Sequence, residues 1–140
     1  MFKTFIFFLA IMINTIFRCL FLYVFALLRW VPIEIFKKYF FVKIVKTGEN
    51  WVATNNLVID TLTKTRFEII QEKELNFSKT KSYLIISNHR SWVDILVLQR
   101  IFNKQVPFLR FFIKQELKWI PFLGLAFKIL DFPFMKRYTK

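Results

Sequence analysis

The hydrophobic pattern begins with one long apolar segment. Residues 4–28 are almost continuously apolar, and a helix of that length would measure about 37 Å, long enough to span a bilayer or to tilt within it. Asn14, Thr15 and Arg18 interrupt the segment, and a charge near the centre of a bilayer is costly. A single span and a re-entrant or interfacial hairpin are therefore both open, and residues 1–30 are predicted to be a membrane anchor.

A mixed basic and aromatic pattern follows the apolar segment. Between Ile33 and Val45 these residues recur at loosely helical spacing, as they do in an amphipathic helix lying on a membrane. An ordinary amphipathic helix of a protein core fits the same spacing equally well. We expect an interfacial helix over residues 31–47, and the stretch 46–65 is polar and rich in turn-forming residues.

The rest of the chain alternates between strand-like and helix-like patterns. Strands are predicted at 66–71, 82–87, 106–113 and 131–136, and helices at 92–102 and 114–130, the second broken before Pro121. Strand, helix and strand in this order imply a right-handed crossover and a partly parallel sheet. The predicted fold class is therefore α/β, with residues 48–140 forming a mixed sheet in which 82–87 is an interior strand.

Composition favours a lipid environment. Hydrophobic residues make up 56% of the chain and include 20 Phe, above an ordinary apolar share of roughly 45–50%. The net charge of +13 suits nucleic acid or an anionic lipid surface, but a nucleic-acid module rarely carries a membrane-like segment. We therefore expect membrane lipids as partners and no nucleic acid. The single cysteine, Cys19, excludes a cysteine-based metal site, and Gly48 and Gly124 alone cannot form a glycine-rich phosphate loop.

The charges that flank the apolar segment predict its orientation. Lys3 alone precedes the segment, whereas a group of basic residues follows it, namely Arg29, Lys37, Lys38, Lys43 and Lys46. By the positive-inside rule, the remainder of the chain is expected to face the cytosol. The predicted location is therefore the cytoplasmic or inner membrane.

The single histidine lies in the stretch SNHRSWVD, residues 87–94. On a continuous helix, residues five apart point about 140° away from each other, so His89 and Asp94 meet only if a turn precedes the helix. Ser91 is a good N-cap residue with Asp94 three positions later, which predicts such a turn. A carboxylate that holds one imidazole nitrogen can make the other a general base. The alternative is that Asp94 only caps the helix and His89 is a surface loop residue.

Three blocks of the sequence resemble the glycerolipid acyltransferase family, which includes the 1-acylglycerol-3-phosphate acyltransferases. NHRSWVD is similar to the family's N-H-x-x-x-x-D block, KQELKWIPFLG to its Lys-x-Glu-Leu…Pro-x-x-Gly stretch, and DFPFMKR to its arginine block. The matching residues are Asn88, His89, Asp94, Lys114, Glu116, Leu117, Pro121, Gly124, Phe134 and Arg137. The apolar and basic N-terminal segments resemble the bacterial inner-membrane branch of this family.

The resemblance implies transfer of a fatty acyl group from acyl-CoA or acyl carrier protein to the hydroxyl of a lysophospholipid. His89 would deprotonate that hydroxyl and Asp94 would orient His89, with no metal, no separate cofactor and no covalent enzyme intermediate. Arg137 would hold the acceptor phosphate, for which a planar guanidinium is well suited. Asn88, Lys114 and Phe134 fall on further substrate-binding positions of the family.

One block of the family has no counterpart. An aromatic residue followed by Glu-Gly-Ser/Thr-Arg is expected after the arginine block, but this sequence contains no Glu-Gly pair. The resemblance therefore implies a chain that is truncated at its C-terminus, with an incomplete sheet. The alternative hypothesis is a non-catalytic membrane protein derived from the family, which uses only its anchor and its basic face. The acyl donor, the acyl length and the acceptor headgroup are not specified by the sequence.

Overall fold

The computed structural model describes residues 2–70 and 72–136. In chain order the elements are α1 (Phe2–Arg29), α2 (Glu34–Leu62), α3 (Trp92–Phe102), β1 (Ile113–Lys114), a 3-10 helix (Gln115–Trp119), α4 (Leu123–Ile129) and β2 (Phe134–Met135). Most of this structure is helical, and the two short strands pair in parallel. Helices and a parallel sheet are therefore both present, but the sheet is much smaller than the predicted α/β fold requires.

α1 is one continuous helix through the apolar segment. Within the described part of the chain, it is the one helix long and apolar enough to cross a membrane. Asn14, Thr15 and Arg18 lie inside the helix without breaking it, so the segment itself does not fold back as a hairpin. Its buried residues are Asn14, Cys19 and Leu22, and most of its other apolar side chains face outward.

α2 is longer than predicted. The helix expected over residues 31–47 continues to Leu62, so the prediction of a turn-rich stretch after residue 46 is wrong. The buried residues of α2 explain its length, because they lie on one face of the helix along most of it: Ile44, Thr47, Gly48, Val52, Asn55 and Ile59. Three of these residues, Thr47, Gly48 and Asn55, are small or polar. The apolar periodicity of the sequence therefore does not reveal the buried face.

α1 and α2 form an antiparallel pair. Asn14 of α1 donates from Nδ2 to Oδ1 of Asn55, near the end of α2, at 2.8 Å. The rings of Phe25, late in α1, and Phe40, early in α2, have centroids 6.0 Å apart. A short connection is typical of antiparallel neighbouring helices. The inner face of the predicted interfacial helix is thus packed on α1, as in the core-helix alternative.

The core lies where the helix pair meets the C-terminal elements. Its buried side chains come from α1, α2, β1, α4 and the segment before β2, namely Cys19, Leu22, Ile44, Ile113, Ala126, Leu130 and Phe132. Gly48 permits close approach, because a Cβ there would lie 2.9 Å from the Phe108 ring and 3.1 Å from Leu130. The Tyr23 hydroxyl also donates to the Phe122 carbonyl oxygen. The Tyr23 hydrogen bond thus holds α1 against the turn before α4. The close approach at Gly48 brings α2 against Phe108 and Leu130.

The predicted strands form only where a partner strand is present. Ile113 lies opposite Phe134 and Lys114 opposite Met135 in the parallel pair, so parts of the predicted strands 106–113 and 131–136 are confirmed. Both strands are two residues long, since the pairing does not continue beyond them.

The prediction of an interior strand at 82–87 is wrong. These residues have no regular secondary structure, and Leu84 and Ile86 are 80% and 86% exposed. Residues 66–70, which fall in another predicted strand, are likewise not a strand. An interior strand needs hydrogen-bonded neighbours on both sides, and no described residues pair with either segment. Apolar character at 82–87 therefore does not produce burial.

Of the two remaining predicted helices, the first is confirmed and the second is confirmed in part. α3 has the predicted bounds of residues 92–102, and the helix predicted at 114–130 is interrupted at Pro121, where the 3-10 helix has ended and α4 has not begun. Gly124 is needed at this junction, because a Cβ there would lie 1.9 Å from the carbonyl oxygen of Lys118. The glycine of the second sequence block thus has a steric role in the turn before α4.

Candidate active site

The first turn of α3 is closed by a capping box. The Ser91 hydroxyl oxygen accepts a hydrogen bond from the Val93 N–H at 3.2 Å. Asp94 Oδ2 accepts from the backbone N–H groups of Ser91, at 2.8 Å, and Arg90, at 2.6 Å. The predicted cap is confirmed, and its hydrogen bonds hold the loop before α3 against the helix N-terminus.

The carboxylate that caps α3 also contacts the histidine. His89 Nδ1 lies 3.3 Å from Asp94 Oδ2, so the structure brings the two predicted catalytic residues together. The sequence leaves two roles open for Asp94, capping α3 alone or also contacting His89. In the structure, Asp94 Oδ2 does both. Because Nδ1 faces Asp94, Nε2 is the ring nitrogen that is left for a substrate.

The hydrogen bonds of the cap also determine the charge of Asp94. The backbone N–H of Ser91 is the main cause that lowers the pKa of this carboxyl, followed by the N–H of Arg90, and the nearby His89 lowers it further. Such donors at a helix N-terminus favour the ionised carboxylate, as does the helix dipole. Asp94 is therefore negatively charged at neutral pH and can stabilise a positive charge on His89.

His89 lines a cavity of about 640 Å³. Residues 82–87 form one wall and residues 106–112 another, and the imidazole is 65% exposed. Arg110 is the one lysine or arginine among the lining residues, and its Nε donates to the Leu130 carbonyl oxygen at 2.8 Å. Sequence reasoning missed Arg110, although a single charge in the apolar run PFLRFFI was a usable signal.

A second cavity, of about 410 Å³, is lined mainly by apolar side chains. It adjoins the first, because Phe108 and Phe111 line both. Its other walls include Trp51 of α2, Ile95 of α3 and Leu123 of α4. Sequence reasoning did not predict this cavity, because its walls come from segments that are distant along the chain.

The other predicted site residues lie in two places. Asn88 is exposed in the loop beside His89. Lys114 is exposed at the end of β1, and Phe134, in β2, is partly buried and packs against the core. Arg137 lies outside the described residues. The structure thus places the predicted residues in one group before α3 and another on the two strands, and neither Lys114 nor Phe134 lines the His89 cavity.

Comparison with known proteins matches a part of the chain that includes this site. A family model described as Acyltransferase matches residues 68–140, slightly more than half of the chain. The matched part contains His89, Asp94 and all the C-terminal elements from α3 to β2, whereas α1 and α2 lie outside it. Searches of curated proteins and of solved structures gave no significant match.

Proposed function

Because this chain belongs to the glycerolipid acyltransferase family, we propose that it transfers a fatty acyl group to the hydroxyl of a lysophospholipid such as 1-acylglycerol-3-phosphate. The proposed donor is acyl-CoA or acyl carrier protein. The observation that carries the proposal is the 3.3 Å contact between His89 Nδ1 and Asp94 Oδ2, which lies within the part of the chain that matches the family.

In the proposed reaction, His89 is the general base. Its Nε2 takes the proton of the acceptor hydroxyl, and the resulting alkoxide attacks the carbonyl carbon of the thioester. The tetrahedral intermediate collapses as the C–S bond breaks, and the proton on His89 passes to the departing thiolate. Asp94 holds Nδ1–H, selects the tautomer and stabilises the imidazolium. The acyl group passes directly from donor to acceptor.

The two adjoining cavities suit the two chemical parts of the substrates. The cavity lined by His89 and Arg110 would hold the reacting polar groups, and a guanidinium is well suited to a phosphate. The apolar cavity beyond Phe108 and Phe111 would hold the fatty acyl chain. By resemblance to the family, further substrate contacts are assigned to Asn88, Lys114, Phe134 and Arg137.

The proposed place of action is the inner membrane, reached through α1. Exposed apolar side chains extend along this helix, among them Phe5, Met12, Phe17, Val24 and Leu27, and their transfer into lipid is favourable. α2 and α4 cover the other side of α1, so in this conformation α1 offers lipid one face. We place that face in the membrane and the catalytic part on the cytosolic side.

Acyl transfer from acyl-CoA to lysophosphatidic acid by the full chain in lipid-containing micelles tests the proposal. His89→Ala removes the general base, so the rate of acyl transfer is expected to fall about 10²–10⁴-fold. Asp94→Asn keeps an oxygen that can accept the N–H groups of Arg90 and Ser91 but removes the charge, so activity should fall while α3 keeps its cap.

Lys81→Ala is the control, because Lys81 is exposed and its side chain makes no hydrogen bond or ion pair within the described residues; its activity should equal that of the unmodified chain. Circular dichroism checks that each variant keeps its helices. If His89→Ala transfers acyl groups as fast as the unmodified chain, the assignment of the base is wrong.

A further inference from the structure

A third cavity, between α1 and α2, gathers three cations. Arg18 of α1 and Lys43 and Lys46 of α2 line a space of about 250 Å³. It shares no lining residue with the two cavities near His89. None of the three cations forms an ion pair with a carboxylate in residues 2–70 or 72–136. This concentration of positive charge is therefore not neutralised by the described part of the protein.

Arg18 is held in position by polar residues of both helices. Its Nη2 donates to the Thr54 hydroxyl at 3.0 Å, and its Nε donates to Asn14 Oδ1 at 3.4 Å. Asn14 is in turn bonded to Asn55 and to the Trp51 carbonyl oxygen. These neutral partners orient the guanidinium without reducing its charge, and its remaining N–H groups are left to bind an anion.

The same cavity has an aromatic wall. Phe17, Phe21 and Phe25 line it from α1, and the centroids of successive rings are 4.9 and 6.0 Å apart. Phe17 and Phe21 are exposed on the apolar helix. A free inorganic anion gains nothing from such a wall, whereas a molecule with a phosphate and a hydrocarbon chain can use both the cations and the rings.

We infer that this cavity binds the phosphate headgroup of an anionic membrane phospholipid, with the lipid's hydrocarbon chains along the Phe17–Phe21–Phe25 face of α1. Arg18, Lys43 and Lys46 contact the phosphate oxygens. Basic pockets between membrane helices are suited to such headgroups. The bound lipid is separate from the reacting substrates, because the site is built by α1 and α2 and lies outside the cavity lined by His89.

Native mass spectrometry of the full chain, released from detergent micelles with added phosphatidylglycerol or phosphatidylcholine, tests this inference. One phosphatidylglycerol per chain is expected to stay bound, and phosphatidylcholine is expected to be lost. The double variant Lys43→Gln and Lys46→Gln should bind phosphatidylglycerol about ten- to thirtyfold more weakly. Lys43→Arg with Lys46→Arg should keep the lipid, and circular dichroism verifies the helices of both.

The matched control is Lys38→Gln with Lys64→Gln, which removes the same charge from exposed positions outside the cavity and should leave lipid retention unchanged. His89→Ala should also retain the lipid, because it alters acyl transfer alone. Equal retention by the Lys43 and Lys46 glutamine variant, or an equal loss in the control, would overturn the inference. Displacement of the lipid by millimolar inorganic phosphate would overturn the assignment to a phospholipid.

Discussion

Residues 63–91, which include His89, form a segment that we call the arm. Leu130, at the end of α4, and Ile86, in the arm, are both branched aliphatic residues in apolar stretches of the sequence. Leu130 is 2% exposed and Ile86 is 86% exposed. Leu130 lies where α4 meets the α1 and α2 pair, whereas the arm has no regular secondary structure in its described part. The comparison shows that an apolar run is buried only where other elements supply a matching surface.

The arm is attached to the helices by a few side-chain contacts. Lys79 forms an ion pair with Glu49 at 2.8 Å, Phe77 packs edge-on against Phe102, and the Arg100 guanidinium lies over the Phe67 ring. His89 therefore does not depend on a packed strand for its position beside Asp94. The capping box of α3 supplies that position locally, through hydrogen bonds within a few residues.

A pair of truncations should show the largest contrast between the two regions. Leu130→Ala removes a side chain from the core and is expected to lower the free energy of unfolding by about 3–4 kcal/mol. Ile86→Ala removes an exposed side chain and should change it by less than about 0.5 kcal/mol. Denaturant unfolding in detergent, followed by circular dichroism, measures both. Similar losses for the two variants would show that the arm is as well packed as the core.

The two glycines provide a graded test of close packing within the packed region. A Cβ on Gly124 meets the Lys118 backbone, which cannot rotate away, so Gly124→Ala should cost about 3 kcal/mol. A Cβ on Gly48 meets the tips of side chains, which can move, so Gly48→Ala should cost only about 1 kcal/mol. Thermal unfolding compares them, and the reverse order would contradict this account of the turn before α4.

A smaller effect is expected at the boundary between the arm and α3. Ser91→Ala removes the acceptor of the Val93 N–H and should destabilise the helix start by about 1 kcal/mol. Ser87→Ala, on the exposed arm, is the matched control and should have no such effect. Hydrogen exchange at the first turn of α3 measures the change, and equal exchange in both variants would mean that the cap does not stabilise this turn.

The stabilising effect of the Asp94 cap on α3 should depend on pH. The pKa of Asp94 is lowered in the folded chain, chiefly by the Ser91 N–H, below an ordinary value of about 3.9. Its contribution to stability is therefore complete above that ordinary value, and is lost as the pH falls through the lower folded value. The amide proton shifts of Arg90 and Ser91 should report this titration by NMR, and Asp94→Asn should abolish it. A midpoint at or above that of a short peptide containing residues 88–95 would contradict the shift.

Features that depend only on near neighbours in the chain can be derived from the sequence alone. The long apolar run of α1 needs only helical hydrogen bonds within the segment, and of the two alternatives that the sequence leaves open, the continuous helix is the one observed. The cap of α3 depends on Ser91 and Asp94, three residues apart, and its prediction is confirmed for the same reason. The contact between His89 and Asp94 follows from that turn, so the candidate catalytic pair could be found before any fold was known.

Features that depend on distant partners arise only when the segments pack against one another. α2 extends to Leu62 because its polar residue Asn55 contacts Asn14 of α1 and its small residue Gly48 lies close to Phe108. The hydrophobic periodicity of α2 alone predicts neither contact. The stretch 82–87 has a strand-like sequence but no paired neighbour among the described residues, so Leu84 and Ile86 stay exposed. The three cavities are likewise enclosed by segments far apart in the chain. Burial is a property of two surfaces, and a single segment specifies only one of them.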